Sequence, residues 1–169
     1  MNPLAALMLC AVLAADDAVD RAWHDAARTV LASEIPLRDG RPHGLVRTFR
    51  ADGSLESACD FVAGRRHGRL RQYAADGTTV VRVVPYADDR EDGLETRWFP
   101  GGAKHEEIPW RAGVRHGIAR TWTAAGVLVW ERTWAEGRLH GTVRAWGEDG
   151  RLISSETWRD GERSAAEAP

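Results

Sequence analysis

The chain is poor in cysteine, with only Cys10 and Cys59 among its 169 residues. Cys10 lies in an apolar N-terminal segment that has the character of a secretory signal, so the mature chain would keep Cys59 alone. A single cysteine forms no intramolecular disulfide, which excludes a small exported domain held together by disulfide bridges. Stability must therefore come from the packing of the rest of the chain.

Long apolar runs and an excess of charge of one sign are also absent. No segment reaches the roughly 20 apolar residues that a membrane-spanning helix needs, so we predict no transmembrane segment in the mature chain. The formal net charge is -2, and 22 arginines accompany a single lysine, Lys104. This balance gives no reason to expect a nucleic acid or an anionic membrane as the partner.

Recognisable catalytic motifs are missing as well: there is no Gly-x-Ser-x-Gly elbow, no phosphate-binding glycine loop and no Cys-x-x-Cys pair. Four histidines do recur, at His43, His67, His116 and His140. Alternate strands would hold them about 9.6 Å apart, whereas zinc ligands lie about 2.0–2.1 Å from one ion. We predict no enzyme, no cofactor and no metal site, and we expect the histidines to orient turns by hydrogen bonding.

The first fifteen residues are uncharged and mostly apolar, and the small residues Ala14 and Ala15 precede Asp16 and Asp17. This order is typical of the apolar region and cleavage site of a secretory signal peptide. It predicts a signal peptide over residues 1–15 and a periplasmic or secreted mature protein. The alternative is a cytoplasmic protein whose N-terminus happens to be apolar.

What the sequence does contain is a ladder of aromatic residues. Ten of its thirteen aromatic residues follow one another at intervals of twelve residues, apart from one interval of thirteen. In chain order they are Phe49, Phe61, Tyr73, Tyr86, Trp98, Trp110, Trp122, Trp134, Trp146 and Trp158. A period kept over so long a stretch indicates repeated structural units rather than one irregular domain.

Glycines define the unit. A series at Gly44, Gly68, Gly93, Gly117 and Gly141 recurs every 24 or 25 residues. Asp-Gly pairs supply the left-handed backbone that tight hairpin turns need, and the intervening segments are rich in β-branched and aromatic residues. The pattern predicts an all-β fold, an antiparallel β-hairpin meander of about five 24-residue repeats over residues 37–163. Alternate aromatics should then lie at opposite ends of the strands.

Two flanking segments complete the predicted organisation. Residues 16–36 place Val19, Trp23 and Leu31 on roughly one face of a helix, and Pro36 follows. We predict a short N-terminal helix that caps the first hairpin, because a terminal repeat exposes an unpaired strand. Residues 164–169 are predicted to be a short disordered tail.

The recurring Asp-Gly, His-Gly and aromatic positions resemble the bacterial MORN-repeat variant family. The clearest units begin at His43-Gly44, His67-Gly68, His116-Gly117 and His140-Gly141, and the third has Asp92-Gly93 instead. The resemblance covers residues 38–163. It implies elongated sheets of β-hairpins and non-catalytic roles in protein contacts, and members are often labelled as antitoxins. It brings no catalytic residue and no cofactor.

Strand alternation places four arginines on the face of the first-row aromatics, two residues before them. These are Arg47, Arg71, Arg120 and Arg144. They are either a basic stripe that grips an anion, or packing groups that stack on the rings and pair with cross-strand acids such as Glu131 and Glu156. Together with Trp98, Trp122 and Trp146 they form the predicted interaction face.

The sequence favours a non-catalytic repeat module that mediates protein–protein interaction or scaffolding in the cell envelope, with an unidentified protein as the partner. Carbohydrate or cell-wall binding is one alternative, because a row of tryptophans can stack on sugar rings. Antitoxin-type neutralisation of a partner protein is another, although export would separate the protein from a cytosolic toxin. No nucleic acid is expected.

Overall fold

A computed structural model describes residues 18–167, with side chains up to residue 164, and it is all-β. The described residues form sixteen strands and no helix, and the strands pair antiparallel in one sheet. Thirteen strands follow each other across the sheet in chain order, and three short ones pair beside them. The predicted antiparallel hairpin meander is confirmed. The predicted signal peptide over residues 1–15 lies outside the described residues.

The strands have the following bounds: β1 Ala18–Trp23, β2 Leu31–Arg38, β3 Arg41–Pro42, β4 Gly44–Phe49, β5 Leu55–Val62, β6 Arg65–Tyr73, β7 Val80–Ala87, β8 Arg90–Glu91, β9 Gly93–Trp98, β10 Lys104–Arg111, β11 Val114–Arg115, β12 Gly117–Trp122, β13 Leu128–Ala135, β14 Arg138–Trp146, β15 Leu152–Arg159 and β16 Glu162–Glu167. The short strands β3, β8 and β11 are each separated by one residue from the strand that continues them.

The predicted N-terminal helix is wrong. β1 and β2 instead form an antiparallel pair in which Arg21 lies opposite Glu34. The Asp25 carboxylate orders the turn between them by accepting hydrogen bonds from the backbone N–H groups of Thr29 and Val30, each at 2.9 Å. A short helix is marginal by itself, whereas β2 gives β1 a ready partner for its backbone. The backbone pairing of β1 with β2 therefore outweighs the helix preference that the spacing of the apolar side chains indicates.

The C-terminal segment also differs from expectation. β16 continues through Glu167 and pairs with β15, so part of the segment predicted as a disordered tail is a strand. Residues 168 and 169 lie outside the described part of the chain. Among the described residues, β15 is the only strand that pairs with β16.

Two-residue turns lie along one side of the sheet, which we call the tight-turn side. Arg111 pairs with Val114, for example, and both Ala112 and Gly113 between them have positive φ. Six turns share this conformation, at residues 39–40, 63–64, 88–89, 112–113, 136–137 and 160–161. It matches the twist of the flanking strands, and glycine is the second turn residue in five of the six. The longer turns lie along the opposite, long-turn side.

A bulge follows each tight turn, and Gly117 shows why it needs glycine. Its φ is +113°, and a Cβ there would lie 3.1 Å from Cγ of Pro109 on the neighbouring strand. The N–H of His116 donates to the Pro109 carbonyl at 3.0 Å. The nitrogen of Pro109 points toward the same neighbouring strand as its carbonyl. Because of the bulge, no hydrogen bond from this nitrogen is needed there. The bulge therefore lets a proline stand inside the sheet.

Cross-strand pairing sorts the side chains between two faces. Face A carries the directly paired row Arg47, Ala58, Arg71, Val83, Thr96, Glu107, Arg120, Glu131, Arg144 and Ser155. Face B carries their immediate sequence neighbours, including Cys59, Val84, Glu95 and Ile108. Substantial contacts within the described residues join only neighbouring strands, so the sheet is a single layer.

Burial is correspondingly sparse and uneven. Ten described residues are buried, and only two of them, Ala58 and Ser155, are on face A. The other eight are on face B: Cys59, Val84, Tyr86, Glu95, Ile108, Ala119, Val143 and Ala145. Face B is therefore the better packed of the two, and face A is the more open to a partner.

Replacing Gly117 by alanine should lower the free energy of unfolding by roughly 1–3 kcal/mol, because the backbone conformation is strained for any residue with a Cβ. Gly101→Ala is the matched control, since no atom lies within 4 Å of its added Cβ and its φ is not positive. Urea denaturation followed by tryptophan fluorescence measures both. Equal midpoints for the two variants would show that the bulge tolerates a side chain.

Candidate interaction surface

The four arginines predicted as an interaction face do lie in one row on face A, but three of them are paired with acids. The Glu34 carboxylate forms ion pairs with Arg21 at 2.8 Å and with Arg47 at 3.1 Å. The Glu131 carboxylate forms ion pairs with Arg120 and with Arg144, each at 3.1 Å. Each of these carboxylates thus pairs with the arginines on both neighbouring strands. The row is a cross-strand ion-pair ladder rather than a continuous basic stripe.

Arg71 is the exception among the four. Its cross-strand neighbours are Ala58 and Val83, and no carboxylate of the described residues lies within 4 Å of its guanidinium. The predicted pairing with Glu131 is observed, whereas Glu156 lies on face B and pairs with Arg163 at 3.0 Å. In the other three predicted arginines the guanidinium is already engaged by a carboxylate, which leaves Arg71 as the one without an ion-pair partner in the described residues.

The tryptophans of the predicted face, Trp98, Trp122 and Trp146, end their strands on the long-turn side. All three are half-buried. Trp122 pairs with Leu128 across the hairpin, and the Lys104 ammonium lies 5.4 Å from its ring centroid. Each of these rings is therefore partly covered by its neighbours.

The other aromatic row lies on face B at the tight-turn side, where arginines fill gaps between the rings. The Arg115 guanidinium lies 4.8 Å from the Trp134 centroid and 5.7 Å from the Trp110 centroid. The Arg66 guanidinium lies 4.2 Å from the Tyr86 centroid. Stacking of guanidinium on aromatic rings was expected for the face A arginines, and the structure shows it on face B instead. Here it bridges rings two strands apart.

A buried carboxylate interrupts the apolar part of face B. Glu95 is 0% exposed. Its Oε1 accepts hydrogen bonds from Nε of Arg82 at 2.6 Å and of Arg97 at 2.8 Å, and its Oε2 accepts one from Nε1 of Trp110 at 2.8 Å. The same position on the equivalent strands holds an apolar residue: Val46, Leu70, Ala119 and Val143.

The electrostatics of this carboxylate follow from its contacts. Burial raises the pKa of Glu95, but the hydrogen bonds from Arg82, Arg97 and Trp110 outweigh it, so the pKa lies below its usual value of 4.5. The carboxylate is ionised at neutral pH and fully occupied by donors. It has no free lone pair directed at solvent, so it organises the centre of the sheet rather than acting on a ligand.

A set of arginines that the sequence analysis did not single out lies on face A, beside the tight turns. Each is the first or last residue of a strand that flanks such a turn, and all are exposed: Arg38, Arg41, Arg65, Arg90, Arg111, Arg138 and Arg159. We call them the turn arginines. Within the described residues, the six beyond Arg38 make no ion pair with a carboxylate.

The carboxylates at the tight turns have other partners. Asp89 pairs with Arg66 at 3.2 Å. Glu136 and Asp160 lie 3.3 Å and 3.2 Å from the Nδ1 atoms of His116 and His140. The recurring histidines thus face the next tight turn, as their expected role in orienting turns requires. Among the turn arginines, Arg111 contacts the Nε2 atom of His116 at 3.2 Å, and no carboxylate of the described residues lies within ion-pair distance of the six beyond Arg38.

Exposed aliphatic side chains lie next to the turn arginines on the same face. Val62 is 46% exposed, Leu94 46%, Val114 37% and Ile118 40%. Val62 pairs directly with Arg65, and Val114 with Arg111. We call these four residues and the turn arginines together the tight-turn surface. It combines exposed apolar area with arginines of which the six beyond Arg38 make no ion pair with a carboxylate of the described residues, the composition of a surface that binds a macromolecule.

Features that would support catalysis are weak in the described residues. Burial raises the pKa of the Cys59 thiol to about 11, so it stays protonated and is a poor nucleophile at neutral pH. No group of three or more His, Cys, Asp or Glu side chains in this part of the chain is placed to hold a metal ion. It also has no helix long and apolar enough to cross a membrane.

No protein-family model matches the chain, and no curated protein matches it.

Replacing Glu95 by glutamine should destabilise the fold by about 3–5 kcal/mol, because it removes the charge that compensates two arginines in a buried network. Glu106→Gln is the matched control, because the Glu106 carboxylate also forms an ion pair with Arg97, at 3.0 Å, but its side chain is 21% exposed. It should cost no more than about 1 kcal/mol. Urea denaturation at pH 7 measures both, and equal losses would contradict a special role for the buried carboxylate.

The same carboxylate predicts a pH dependence. Because the folded-state pKa of Glu95 is lowered below its usual 4.5, its contribution is fully present above that value and is lost as the pH falls through the folded-state pKa. The difference in free energy of unfolding between the wild type and Glu95→Gln should therefore shrink below about pH 4.5. A difference that stays constant between pH 7 and pH 3 would show that ionisation of Glu95 is irrelevant.

Proposed function

We propose that this chain is a non-catalytic repeat module that binds a protein partner through the tight-turn surface. The observation that carries the proposal is the association, on one face, of four exposed aliphatic side chains with a row of exposed arginines. Apolar area provides the driving force for association, and arginine is enriched in protein interfaces. The surface is shallow and open, which suits a macromolecule better than a small molecule.

The repeated architecture supports the same reading. We infer five units of about 24 residues, similar to the bacterial MORN-repeat variant family, each adding one hairpin to the sheet. Arrays of this kind present extended surfaces because every unit contributes equivalent positions to one face. The apolar N-terminal segment and Ala14-Ala15 favour a periplasmic or secreted location, so the partner is expected in the cell envelope.

The alternatives have less support. Sugar binding through Trp98, Trp122 and Trp146 needs ring faces open to a pyranose, and these rings are half-buried between neighbouring strands. Neutralisation of a cytosolic toxin conflicts with the export signal that the N-terminus favours. The glycan alternative gives an outcome in the experiment below that differs from that of the proposed surface.

Site-specific photocrosslinking in the native host tests the proposal. A photoreactive phenylalanine analogue at Leu94 or Ile118 should yield one discrete, protease-sensitive adduct, because these side chains would lie in the interface. Matched control positions are Leu152, which is 40% exposed, and Trp130, which is 37% exposed; both lie outside the tight-turn surface. They should yield no adduct.

A charge reversal sharpens the crosslinking result. Arg90→Glu should abolish the adduct at Leu94 while leaving the melting temperature within about 2 °C of the wild type, since exposed substitutions away from packing change stability little. Equal labelling at the four positions, or labelling at Trp130 and Leu152 alone, would reject the tight-turn surface. An adduct digested by glycosidases and resistant to proteases would establish the glycan alternative.

A further inference from the structure

We infer that the tight-turn surface binds an extended acidic peptide segment that crosses the hairpins with a carboxylate at about every third residue. This inference rests on the proposed function and specifies the partner of the same surface. It follows from the spacing of the turn arginines, from the missing counter-charges of those beyond Arg38 and from the aliphatic side chains between them.

The spacing comes from the hairpin geometry. Each of the six tight turns carries at least one arginine at a flanking position on face A. Successive tight turns are two strands apart, which is about 9.6 Å at the usual strand separation. An extended chain advances about 3.3 Å per residue, so three residues span one interval between turn arginines. A peptide with an acidic residue at every third position would meet one arginine per hairpin.

A helical partner fits this row less well. An α-helix advances 1.5 Å per residue, so one interval corresponds to about 6.4 residues, which is not a whole number of turns. Side chains at that spacing rotate away from the surface along the helix. Neighbouring strands are also rotated by about 20–25°, so the row of arginines follows a curve. An extended segment can adapt to this curve residue by residue, whereas a helix is straight on this scale.

The charges argue for separate carboxylates rather than a continuous polyanion. The turn arginines beyond Arg38 have no carboxylate within ion-pair distance in the described residues, so an incoming acid would gain a partner without displacing one. Asp88, Glu136 and Asp160 stand in three of the six tight turns and place negative charge beside Arg90, Arg138 and Arg159. A nucleic acid or polysaccharide with uniformly spaced charges would meet repulsion at these turns.

The residues between the carboxylates should be apolar in part. Leu94 pairs with Pro109, and Ile118 follows on the next strand past Gly117, whose Cβ position would lie against that proline. These side chains form an aliphatic patch in the middle of the row, bordered by Arg90 and Arg111. A second copy of this chain would bring a second row of turn arginines against the first, so charge repulsion disfavours self-association through this surface.

Synthetic peptides of equal composition test the spacing. The first probe is a fluorescein-labelled 15-residue peptide of Asp-Val-Ser triplets. The second has the same residues with the five aspartates consecutive at one end. Polyglutamate serves as the continuous polyanion. Binding to the purified protein is measured by fluorescence anisotropy, with polyglutamate as a competitor. We expect the periodic peptide to bind at least about tenfold more tightly than the clustered one.

Matched variants locate the contact. Arg65→Gln with Arg90→Gln should weaken binding of the periodic peptide about tenfold. Arg28→Gln with Arg151→Gln removes the same charge from exposed positions at the long-turn side and should leave binding unchanged. Circular dichroism and thermal melting of both double variants establish that each one is folded.

The outcomes separate this inference from the proposed function. Equal affinity for the two peptides, or equal effects of the two double variants, overturns the spacing. Tighter binding of polyglutamate than of the periodic peptide overturns the peptide class in favour of a polyanion. If no peptide binds while crosslinks at Leu94 and Ile118 still form, the inference fails and the proposed function stands. If neither is observed, both fail.

Discussion

Cohesion in this protein depends on pairing between adjacent strands, because the sheet has no second layer to pack against in the described residues. Ordinary domains bury one face of a sheet under helices or another sheet. Here only ten described residues are buried, so each side chain must find its neighbours along its own face. This constraint explains why large rings, arginines and acids alternate across the strands where a layered domain would place small aliphatic residues.

The two faces meet the constraint with different chemistry. On face A, Glu34 and Glu131 each connect arginines from two strands, so ion pairs run across the sheet in the direction of the backbone hydrogen bonds. On face B, aromatic rings stack with Arg66 and Arg115. Glu95 combines both devices, because it binds two guanidinium groups and an indole. In contrast, the indole N–H of Trp134 has no acceptor, since Ala119 stands where Glu95 would be.

The sequence predicts those features that depend on local chemistry. Asp39-Gly40 and Ala112-Gly113 fold into tight turns because of backbone preferences within two residues, and the aromatic rows follow from the turn spacing. The N-terminal segment shows the limit: Val19, Trp23 and Leu31 fit one face of a helix, but β2 provides a strand partner that no local pattern reveals. The family resemblance remains a proposal, because no family model tests it.

The candidate surface was harder to find for a related reason. Arg111 precedes its turn and Arg138 follows another, so the turn arginines are divided between two places in the 24-residue period, and neither place holds arginine in every repeat. Only the pairing across each turn, such as Arg111 with Val114, brings both kinds of position onto one line. In contrast, Arg47, Arg120 and Arg144 of the predicted interaction face stand at one place in the 24-residue period. Each of them forms an ion pair with a carboxylate on a neighbouring strand.

The single-layer construction has a consequence for how such a chain changes length. A strand that contacts only its two neighbours places no demand on strands farther away, so a whole hairpin inserted or deleted leaves every other contact intact. Because a hairpin reverses direction twice, the faces and the positions of the turns are preserved. Each hairpin gained extends the surface by about 9.6 Å. The number of hairpins therefore sets the length of the surface.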